Sequence, residues 1–451
     1  MRKLYAKSAL LPAGWAKDVS LEIDADGRLA KVAPNCPADN EAEHHELLLP
    51  APSNLHSHAF QRALAGLTEI RGPGEDDFWS WRERMYAFLP KLGPDEVEAI
   101  AAQLFVELAE SGFAAIAEFH YLHNQADGRA YDDIAEMAGR ISSAAQQTGF
   151  GLTLLPVAYA RSGFGGAPTH EGQIRFSNSA ERFLPLWEVS KSHLQRADDN
   201  LGMAPHSLRA VTPEDLATIL TAKHDGPIHI HAAEQVKEVE DCLAWSGQRP
   251  IEWLLNHHDI NERWCLIHAT QMNDDETRAL AHSGAVAGLC PTTEADLGDG
   301  IFNGRQWHAE GGNWGIGTDS HIGTDIAVEL RQLEWSQRLA HKQRTVLAAP
   351  MQSNARSLYE SALAGGSQAL GRHSGQLATG YWTDMLSLDA DHPILVGKSE
   401  DAALDSWIFA GNRECVTDVW SAGRHIVKDG QHVARDEIAR GYTKTMRKLL
   451  G

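Results

Sequence analysis

The chain has 451 residues, of which 43% are hydrophobic and 22% are charged. This composition is typical of a globular protein, and the length allows one large domain and a smaller one. The formal net charge of −21 argues against binding to nucleic acid or to an anionic membrane surface, because both require basic patches. No run of about 18 apolar residues is present, and the first residues lack a signal-peptide core.

The five cysteines are scattered along the chain and form no Cys-x-x-Cys pair. Their odd number and their spacing exclude a disulfide framework and a zinc finger. Unpaired cysteines fit a reducing compartment. Together with the absence of a signal peptide, they predict a soluble cytoplasmic protein.

Short strands are predicted at both ends of the chain. Residues 19–23 alternate apolar and polar side chains, and residues 29–32 follow a turn. Further segments of the same character lie near the C-terminus, at residues 385–388, 406–409, 416–420 and 425–427. We therefore predict one small β-sandwich domain built from both termini, residues 1–50 plus 377–451.

The middle of the chain alternates helices and strands. A helix begins at Pro94 with apolar residues at helical spacing, and residues 114–119 form a strand after it. Comparable strand–helix units follow at residues 152–157, 228–231, 264–268, 285–289 and 314–318. Repeated units of this kind predict an α/β fold, a (β/α)8 TIM-like barrel over residues 51–376. The weakly patterned residues 161–185 indicate a mobile loop over the barrel mouth.

Two histidines stand at the end of the first barrel strand. His56 and His58 flank Ser57, and alternate residues of a strand point to the same side, so the two imidazoles can meet at one point. Two convergent imidazoles are half of a metal site. In a chain with 23 histidines, the pair alone is equally compatible with ordinary strand histidines.

Polar residues also stand at the ends of later strands. His231 ends one strand and is followed by Glu234, His268 ends the next, and Asp319 follows the last. The carboxyl ends of parallel barrel strands converge on one face of the barrel. Taken singly, Asp319 is compatible with a helix N-cap, and Glu234 with a first-turn residue of a helix. Together these residues predict one metal-dependent catalytic site.

This pattern resembles the amidohydrolase superfamily, and the β-rich termini match its accessory domain. The resemblance implies one divalent metal, most plausibly Zn²⁺, bound by His56, His58, His231 and Asp319. Residues 204–209, at the end of the fourth strand, contain no lysine that would become a bridging ligand, which favours a single metal. His229 is a rival to His231, but a glutamate three residues after His231 resembles the aminohydrolase branch and favours His231.

The implied catalytic residues are Glu234, His268 and Asp319. Zinc lowers the pKa of a bound water to about 7, and Asp319 would accept a proton from that water. Glu234 would carry a proton to the departing nitrogen. His268 would hydrogen-bond the nucleophile or the tetrahedral centre. Hydrolytic deaminases need such a proton carrier.

Three segments, residues 55–62, 117–121 and 290–300, are more narrowly similar to the formimidoylglutamate deiminases of bacterial histidine degradation. The reaction implied is metal-dependent hydrolytic deimination of N-formimidoyl-L-glutamate to N-formyl-L-glutamate and ammonia, and a homodimer is expected. The implied substrate-binding residues are Gln61, Arg82, Tyr121, His206 and Arg209. Arg82 is expected in a loop, residues 79–82, before the helix that begins at Pro94. Arginines suit a dicarboxylate substrate because they bind carboxylates through two hydrogen bonds.

Two other functions stay open from the sequence. A zinc aminohydrolase of a nucleobase or related heterocycle would share the metal ligands but would favour aromatic stacking surfaces over arginines. A metal-free relative that kept only the barrel would have lost ligands, whereas all four are present here.

Overall fold

The computed structural model describes residues 2–74 and 76–451. Four strands begin the chain: β1 (Arg2–Leu11), β2 (Gly14–Ile23), β3 (Leu29–Ala33) and β4 (Glu43–Pro50). The strands of the central part are β5 (Ser53–Ser57), β6 (Ala115–His120), β7 (Gly151–Ala158), β8 (Asn200–Leu201), β9 (Ala204–Pro205), β10 (Ile228–Ala232), β11 (Trp264–His268), β12 (Val286–Leu289) and β13 (Asn313–Ile316).

The central helices lie between and after these strands. They are α1 (Phe78–Phe88), α2 (Pro94–Glu110), α3 (Glu136–Thr148), α4 (Ala180–Ser190), α5 (Pro213–Ile219), α6 (Val236–Ser246), α7 (Pro250–His257), α8 (Asp274–His282), α9 (Pro291–Asp296), α10 (Gly304–Ala309), α11 (Ile326–His341) and α12 (Asn354–Leu370). The chain then continues through β14 (Met385–Leu388), α13 (Glu400–Ala410), β15 (Val416–Ser421), β16 (Arg424–Lys428), β17 (Gln431–His432) and α14 (Arg435–Leu450).

The central strands form a closed parallel barrel. Strands β5 to β7 pair in order, β7 pairs with both β8 and β9, and β10 to β13 pair in order. Parallel bridges from Met203 to Ile228 and from Ser57 to Asp319 join the two halves. Strands β8 and β9 together occupy one position, so the barrel has eight strand positions. The predicted (β/α)8 fold is confirmed.

Helix α12 closes the amino end of the barrel. The carbonyl oxygen of Leu370 accepts a hydrogen bond from Thr153 at 2.9 Å. A Cβ atom added to Gly365 would lie 1.9 Å from the Trp314 carbonyl oxygen. Glycine is therefore required where α12 meets the barrel, and the opposite, carboxyl end is the one left for a site.

A second sheet combines both ends of the chain. Its eight strands run in the order β17-β16-β15-β14-β4-β1-β2-β3. Leu4, Leu21, Leu48, Met385 and Trp420 are buried together in its own apolar core. The expected assembly of a β-rich unit from both termini is confirmed, whereas the predicted boundaries at residues 50 and 377 stay a prediction.

Two C-terminal segments differ from the sequence prediction. Residues 406–409 are part of helix α13 and not a strand, because the buried Ala403, Leu404, Trp407 and Ile408 follow helical spacing over a window wider than four residues. The chain ends in a helix, α14, whose face buries only Ile438 and Leu449. Within the described residues, every helix is too short or too polar to cross a membrane.

A buried ion pair joins the barrel to the second sheet. Asp198, just before β8, accepts a hydrogen bond from Arg424 of β16 at 2.6 Å. Arg372 lies 3.2 Å from the same carboxylate and also contacts Asp384. Burial opposes ionisation of Asp198, but the hydrogen bond from Arg424 and the charges of Arg372 and Arg424 outweigh it and lower its pKa to about 2.

We expect Asp198→Asn to lower the free energy of unfolding at pH 7 by about 3 kcal/mol, because Arg424 loses its carboxylate partner. The ionised carboxylate stabilises the fold above the unfolded pKa of 3.8 and loses this effect as pH falls towards 2. Urea unfolding at pH 7 and pH 3 measures both effects. The exposed Asp127→Asn is the control, and an equal deficit at both pH values would contradict the linkage.

Candidate active site

Three histidines and one aspartate meet at the carboxyl end of the barrel. His56 lies in β5, His58 directly after it, His231 in β10 and Asp319 three residues after β13. One donor atom from each lies within 4.8 Å of the others. Asp319 Oδ1 is 3.4 Å from His56 Nε2 and 3.3 Å from His58 Nε2, and the Nε2 atoms of His56 and His231 are 3.2 Å apart.

Backbone carbonyls fix the orientation of two of these imidazoles. His58 Nδ1 lies 3.0 Å from the Phe119 carbonyl oxygen, and His231 Nδ1 lies 3.0 Å from the His206 carbonyl oxygen. Nδ1 must carry the proton to donate to a carbonyl, so each Nε2 lone pair faces the centre of the group.

The four side chains His56, His58, His231 and Asp319, called the donor group below, fit a cation at their centre. Burial lowers the pKa of His56, His58 and His231, which keeps them neutral. The Nε2 lone pairs of His58 and His231 and the Asp319 carboxylate then face one point, where a positive ion would bind them together with His56 Nε2. Three imidazole nitrogens and one carboxylate oxygen fit a divalent metal.

His229 does not join this group. Its side chain is fully buried, and its Nε2 lies 2.7 Å from the Ala369 carbonyl oxygen at the closed end of the barrel. Side chains at alternate positions of a barrel strand occupy successive layers of the interior. His229 therefore lies one layer below His231, as the preference for His231 required.

A buried polar network supports the strand ends. Ser57 donates a short hydrogen bond to Glu118 of β6, and its hydroxyl lies 2.9 Å from His321 Nε2. His321 Nδ1 lies 2.8 Å from the Thr318 hydroxyl. The network connects β5 and β6 to the segment that carries Asp319, and sequence reasoning missed it. The only sequence signal was the position of Ser57 between the two histidines.

The backbone is strained at several strand ends around the site. Five non-glycine residues adopt left-handed conformations there, with φ values of +53° at Ala233, +69° at His268, +50° at Ala269, +45° at Asp319 and +61° at His321. Such conformations persist only where surrounding contacts enforce them, and they are frequent at functional sites. Here they accompany the placement of the Asp319 carboxylate within the donor group and of the His268 imidazole beside it.

Glu234 and His268 lie beside the donor group. Glu234 Oε1 is 3.7 Å from His268 Nε2, which is 3.9 Å from Asp319 Oδ2. Burial disfavours a charged His268, but the negative charge of Glu234 and a hydrogen bond with Glu294 outweigh burial and raise its pKa. Burial raises the pKa of Glu234, opposed by the charges of His268 and Arg209. Both shifts favour the protonated forms, so Glu234 and His268 are the side chains that can hold a proton beside the donor group.

Glu294 is a site residue that sequence reasoning did not single out. Its Oε1 lies 3.3 Å from His268 Nδ1 and accepts the Cys290 backbone N–H at 2.9 Å. This carboxylate fixes the ring of His268 from behind, so that Nε2 faces Glu234 and Asp319. It lies in the 290–300 segment, but a glutamate in the first turn of a short helix has no distinctive sequence pattern.

A small cavity opens next to the donor group. All five predicted substrate-binding residues line it: Gln61, Arg82, Tyr121, His206 and Arg209. Gln61 donates a hydrogen bond to the Tyr121 hydroxyl at 2.8 Å, and Arg209 Nη2 lies 3.5 Å from Glu234 Oε2. The sequence placed Arg82 in a loop, whereas it lies within helix α1, which begins at the N-cap Asp77.

The segment 161–185 contributes to the cavity wall. Phe176 lines the cavity and is almost completely buried. Gln173 is also buried and contacts two tyrosine side chains of the wall. The segment therefore covers one side of the site, and its mobility stays a prediction.

Residues 47–426 match the amidohydrolase family, and residues 1–46 match the N-terminal domain of formimidoylglutamate deiminase HutF. The chain belongs to the amidohydrolase family. This amidohydrolase is 50% identical over 452 residues to the formimidoylglutamate deiminase of Pseudomonas aeruginosa, and the similarity covers 100% of both chains. The family resemblance found in the sequence is thereby confirmed.

Solved structures agree with this assignment. A crystal structure of an amidohydrolase from Brucella melitensis is 50% identical, with a TM-score of 0.96 and coverage of 100% of both chains. An adenosine deaminase from Xanthomonas campestris, solved with bound zinc, is 20% identical, with a TM-score of 0.82 and coverage of 99% and 98%. At this lower identity the second similarity shows the shared fold.

Proposed function

We propose that this protein hydrolyses N-formimidoyl-L-glutamate to N-formyl-L-glutamate and ammonia, a step of histidine degradation. The observation that carries this proposal is the 50% identity to the P. aeruginosa formimidoylglutamate deiminase over the whole of both chains. The cavity supports it, because it places two arginines on the same wall as an acidic residue, Glu234, next to the donor group. A dicarboxylate with a cationic amidine needs both kinds of residue.

The metal in this proposal is Zn²⁺, held by His56, His58, His231 and Asp319. When bound, zinc would supply a water with a pKa of about 7, a nucleophile available at neutral pH.

The side chains around this position carry the protons. Asp319 accepts a proton from the attacking water, and its second carboxylate oxygen lies 3.9 Å from His268 Nε2. His268 stabilises the oxygen of the tetrahedral centre through the same Nε2–H. Glu234 transfers a proton to the amidine nitrogen, which leaves as ammonia, and takes up the proton that the hydroxyl of the tetrahedral centre loses as the carbon–oxygen double bond forms.

The arginines bind the substrate carboxylates. Arg82 and Arg209 face the cavity, and Gln61, Tyr121 and His206 complete the polar wall. In the free protein, Arg209 is paired with Glu234. A substrate carboxylate would replace Glu234 as the partner of Arg209. Glu234 would then contact the cationic amidine.

The same proposal extends to assembly, location and domain limits. We propose a homodimer in the cytoplasm, and the five free cysteines support a reducing compartment. We also propose a domain formed by residues 1–50 plus 377–451 around a barrel domain of residues 51–376. The strands of the second sheet lie within residues 1–50 and 377–451, and the strands of the barrel lie within residues 51–376.

The test is ammonia release by zinc-loaded protein from N-formimidoyl-L-glutamate, measured beside guanine, cytosine and N-formimidoyl-L-aspartate. We expect the glutamate derivative to be the preferred substrate and the nucleobases to release no ammonia. Comparable turnover of a nucleobase would overturn the proposal in favour of a heterocycle deaminase.

Substitution of Arg209 tests the carboxylate assignment. We expect Arg209→Met to raise KM for N-formimidoyl-L-glutamate by about 10- to 100-fold, because a hydrogen-bonded charge partner of the substrate is lost. Metal content should stay equal to that of the wild type. Arg278→Met, at an exposed position on α8, is the matched control. Loss of the metal from Arg209→Met would assign Arg209 to the support of the metal site instead.

A further inference from the structure

Two tyrosine hydroxyls in the cavity wall have no role in the mechanism above. Tyr86 belongs to α1, and Tyr159 directly follows β7. Both side chains line the cavity and are more than nine-tenths buried. A buried phenol normally hydrogen-bonds through its O–H, so the partners of these two hydroxyls indicate what the wall is built to bind.

One amide holds both hydroxyls. Gln173 Oε1 accepts the His170 backbone N–H at 3.3 Å, which orients the amide so that its nitrogen faces the cavity. Gln173 Nε2 then donates to the Tyr159 oxygen at 2.8 Å and to the Tyr86 oxygen at 3.2 Å. Each tyrosine oxygen is therefore an acceptor in this contact, and neither phenolic proton is used by Gln173.

The two phenol groups also hydrogen-bond to each other, so that one hydroxyl donates to the other and one phenolic proton is left for a further acceptor. Burial raises the pKa of the Tyr159 hydroxyl, although the charges of Arg82 and Arg209 act in the opposite direction. The hydroxyl therefore keeps its proton at neutral pH. One O–H donor, held in place by Gln173 and by the second phenol, is available to an acceptor inside the cavity.

The surrounding charge indicates that this acceptor is an anion. Arg82 Cζ lies 5.5 Å from the centre of the Tyr86 ring. The Nε atoms of Arg82 and Arg209 are buried without a hydrogen-bond partner in the described part of the chain. Two guanidinium groups and a free phenolic donor on one wall suit a carboxylate, whose two oxygens accept several hydrogen bonds.

The position of this wall relative to the donor group indicates which carboxylate it receives. The His206 ring lies between Tyr159 and His231, with ring centres 4.6 Å and 4.8 Å from theirs. Tyr159 is thus one ring removed from the donor group, where the amidine carbon reacts. A carboxylate bound at Tyr159 is separated from the reacting carbon by several bonds.

We propose that Tyr86 and Tyr159 form a carboxylate subsite that binds the side-chain carboxylate of the substrate and selects its chain length. Gln173 is the positioning residue of this subsite. The identity of the substrate rests on the proposed function, whereas the affinity of the wall for a carboxylate does not.

The packing of the Gln173 segment supports this role. A Cβ atom added to Gly172 would lie 3.0 Å from Tyr86 Cδ2, so the backbone of this segment rests directly on the Tyr86 ring. The segment that covers the cavity thereby fixes both tyrosines, and the subsite is complete only when it is in place.

Glutarate is the probe for the subsite, because it has two carboxylates and no amidine. We expect the double variant Tyr86→Phe/Tyr159→Phe, loaded with zinc, to bind glutarate about 10- to 100-fold more weakly than the wild type by calorimetry. Tyr381→Phe, outside this cavity, is the matched control and should bind glutarate like the wild type. Affinity of the double variant within twofold of the wild type would overturn the proposal.

Kinetics separate substrate selection from general damage. We expect the double variant to raise KM for N-formimidoyl-L-glutamate, to keep kcat within about threefold and to lose preference over the shorter aspartate derivative. Gln173→Leu should raise KM in the same direction with kcat retained, and an unchanged KM would remove its positioning role. A wild type that releases no ammonia would refute the proposed function, while the glutarate titration would still test the subsite.

Discussion

Glu234→Gln is expected to reduce kcat for N-formimidoyl-L-glutamate by about 10³-fold, the range over which general acid–base groups contribute. The Glu234 carboxylate lies 3.7 Å from His268 Nε2 and 3.5 Å from Arg209 Nη2. Glutamine has nearly the same shape but does not transfer a proton. The loss should therefore appear mainly in kcat, with a smaller rise in KM because the cationic amidine loses its carboxylate partner.

Two further measurements make this prediction specific. Metal content per chain should be unchanged, because Glu234 is not one of the four donors. Glu240→Gln, on the exposed face of α6, should keep the activity of the wild type. A Glu234→Gln protein that retains more than a tenth of kcat would exclude Glu234 as the proton carrier.

His231→Ala is expected to abolish measurable activity and to weaken zinc binding by more than about 100-fold. Loss of an outer hydrogen-bond partner of a metal ligand alone costs about 10- to 100-fold in affinity, and loss of the ligand itself removes a direct bond. Zinc content after dialysis against a chelator of known affinity measures the effect directly.

His229→Ala is the matched control for this substitution. The two histidines lie on the same strand, and His229 contacts the Ala369 carbonyl oxygen away from the donor group. We expect His229→Ala to keep the zinc content of the wild type and to be less stable to heat, because a buried side chain is removed. Equal loss of zinc in both variants would return His229 to the ligand set.

The meeting of the strand-end residues could be predicted from the sequence because it depends on one geometric property of the fold, whereas the choice of the four metal donors came from the family resemblance and stays a prediction. Carboxyl ends of parallel strands share one face of a barrel, so residues separated by more than 250 positions, such as His56 and Asp319, were expected to meet. The period of apolar residues located the strands well enough for this purpose. Short segments were less certain, and residues 406–409 proved to be helical.

Other parts of the cavity could not be predicted, because they depend on the course of segments whose apolar residues show no regular spacing. Tyr86 and Gln173 come from α1 and from the segment after β7, and nothing in the sequence indicated that they meet at Tyr159. The role of Glu294 could not be predicted either, since it follows from the position of α9 behind His268. The ends of the strands could be located from the spacing of apolar residues, whereas the contacts between loops became visible only in the structure.

The identity of the products tests the central claim most directly. Proton NMR of the reaction of zinc-loaded protein with N-formimidoyl-L-glutamate distinguishes which carbon–nitrogen bond of the amidine is broken. The proposed proton transfer from Glu234 to the terminal nitrogen predicts N-formyl-L-glutamate and ammonia in equal amounts. Formation of formamide and glutamate, or an unchanged substrate, would contradict it.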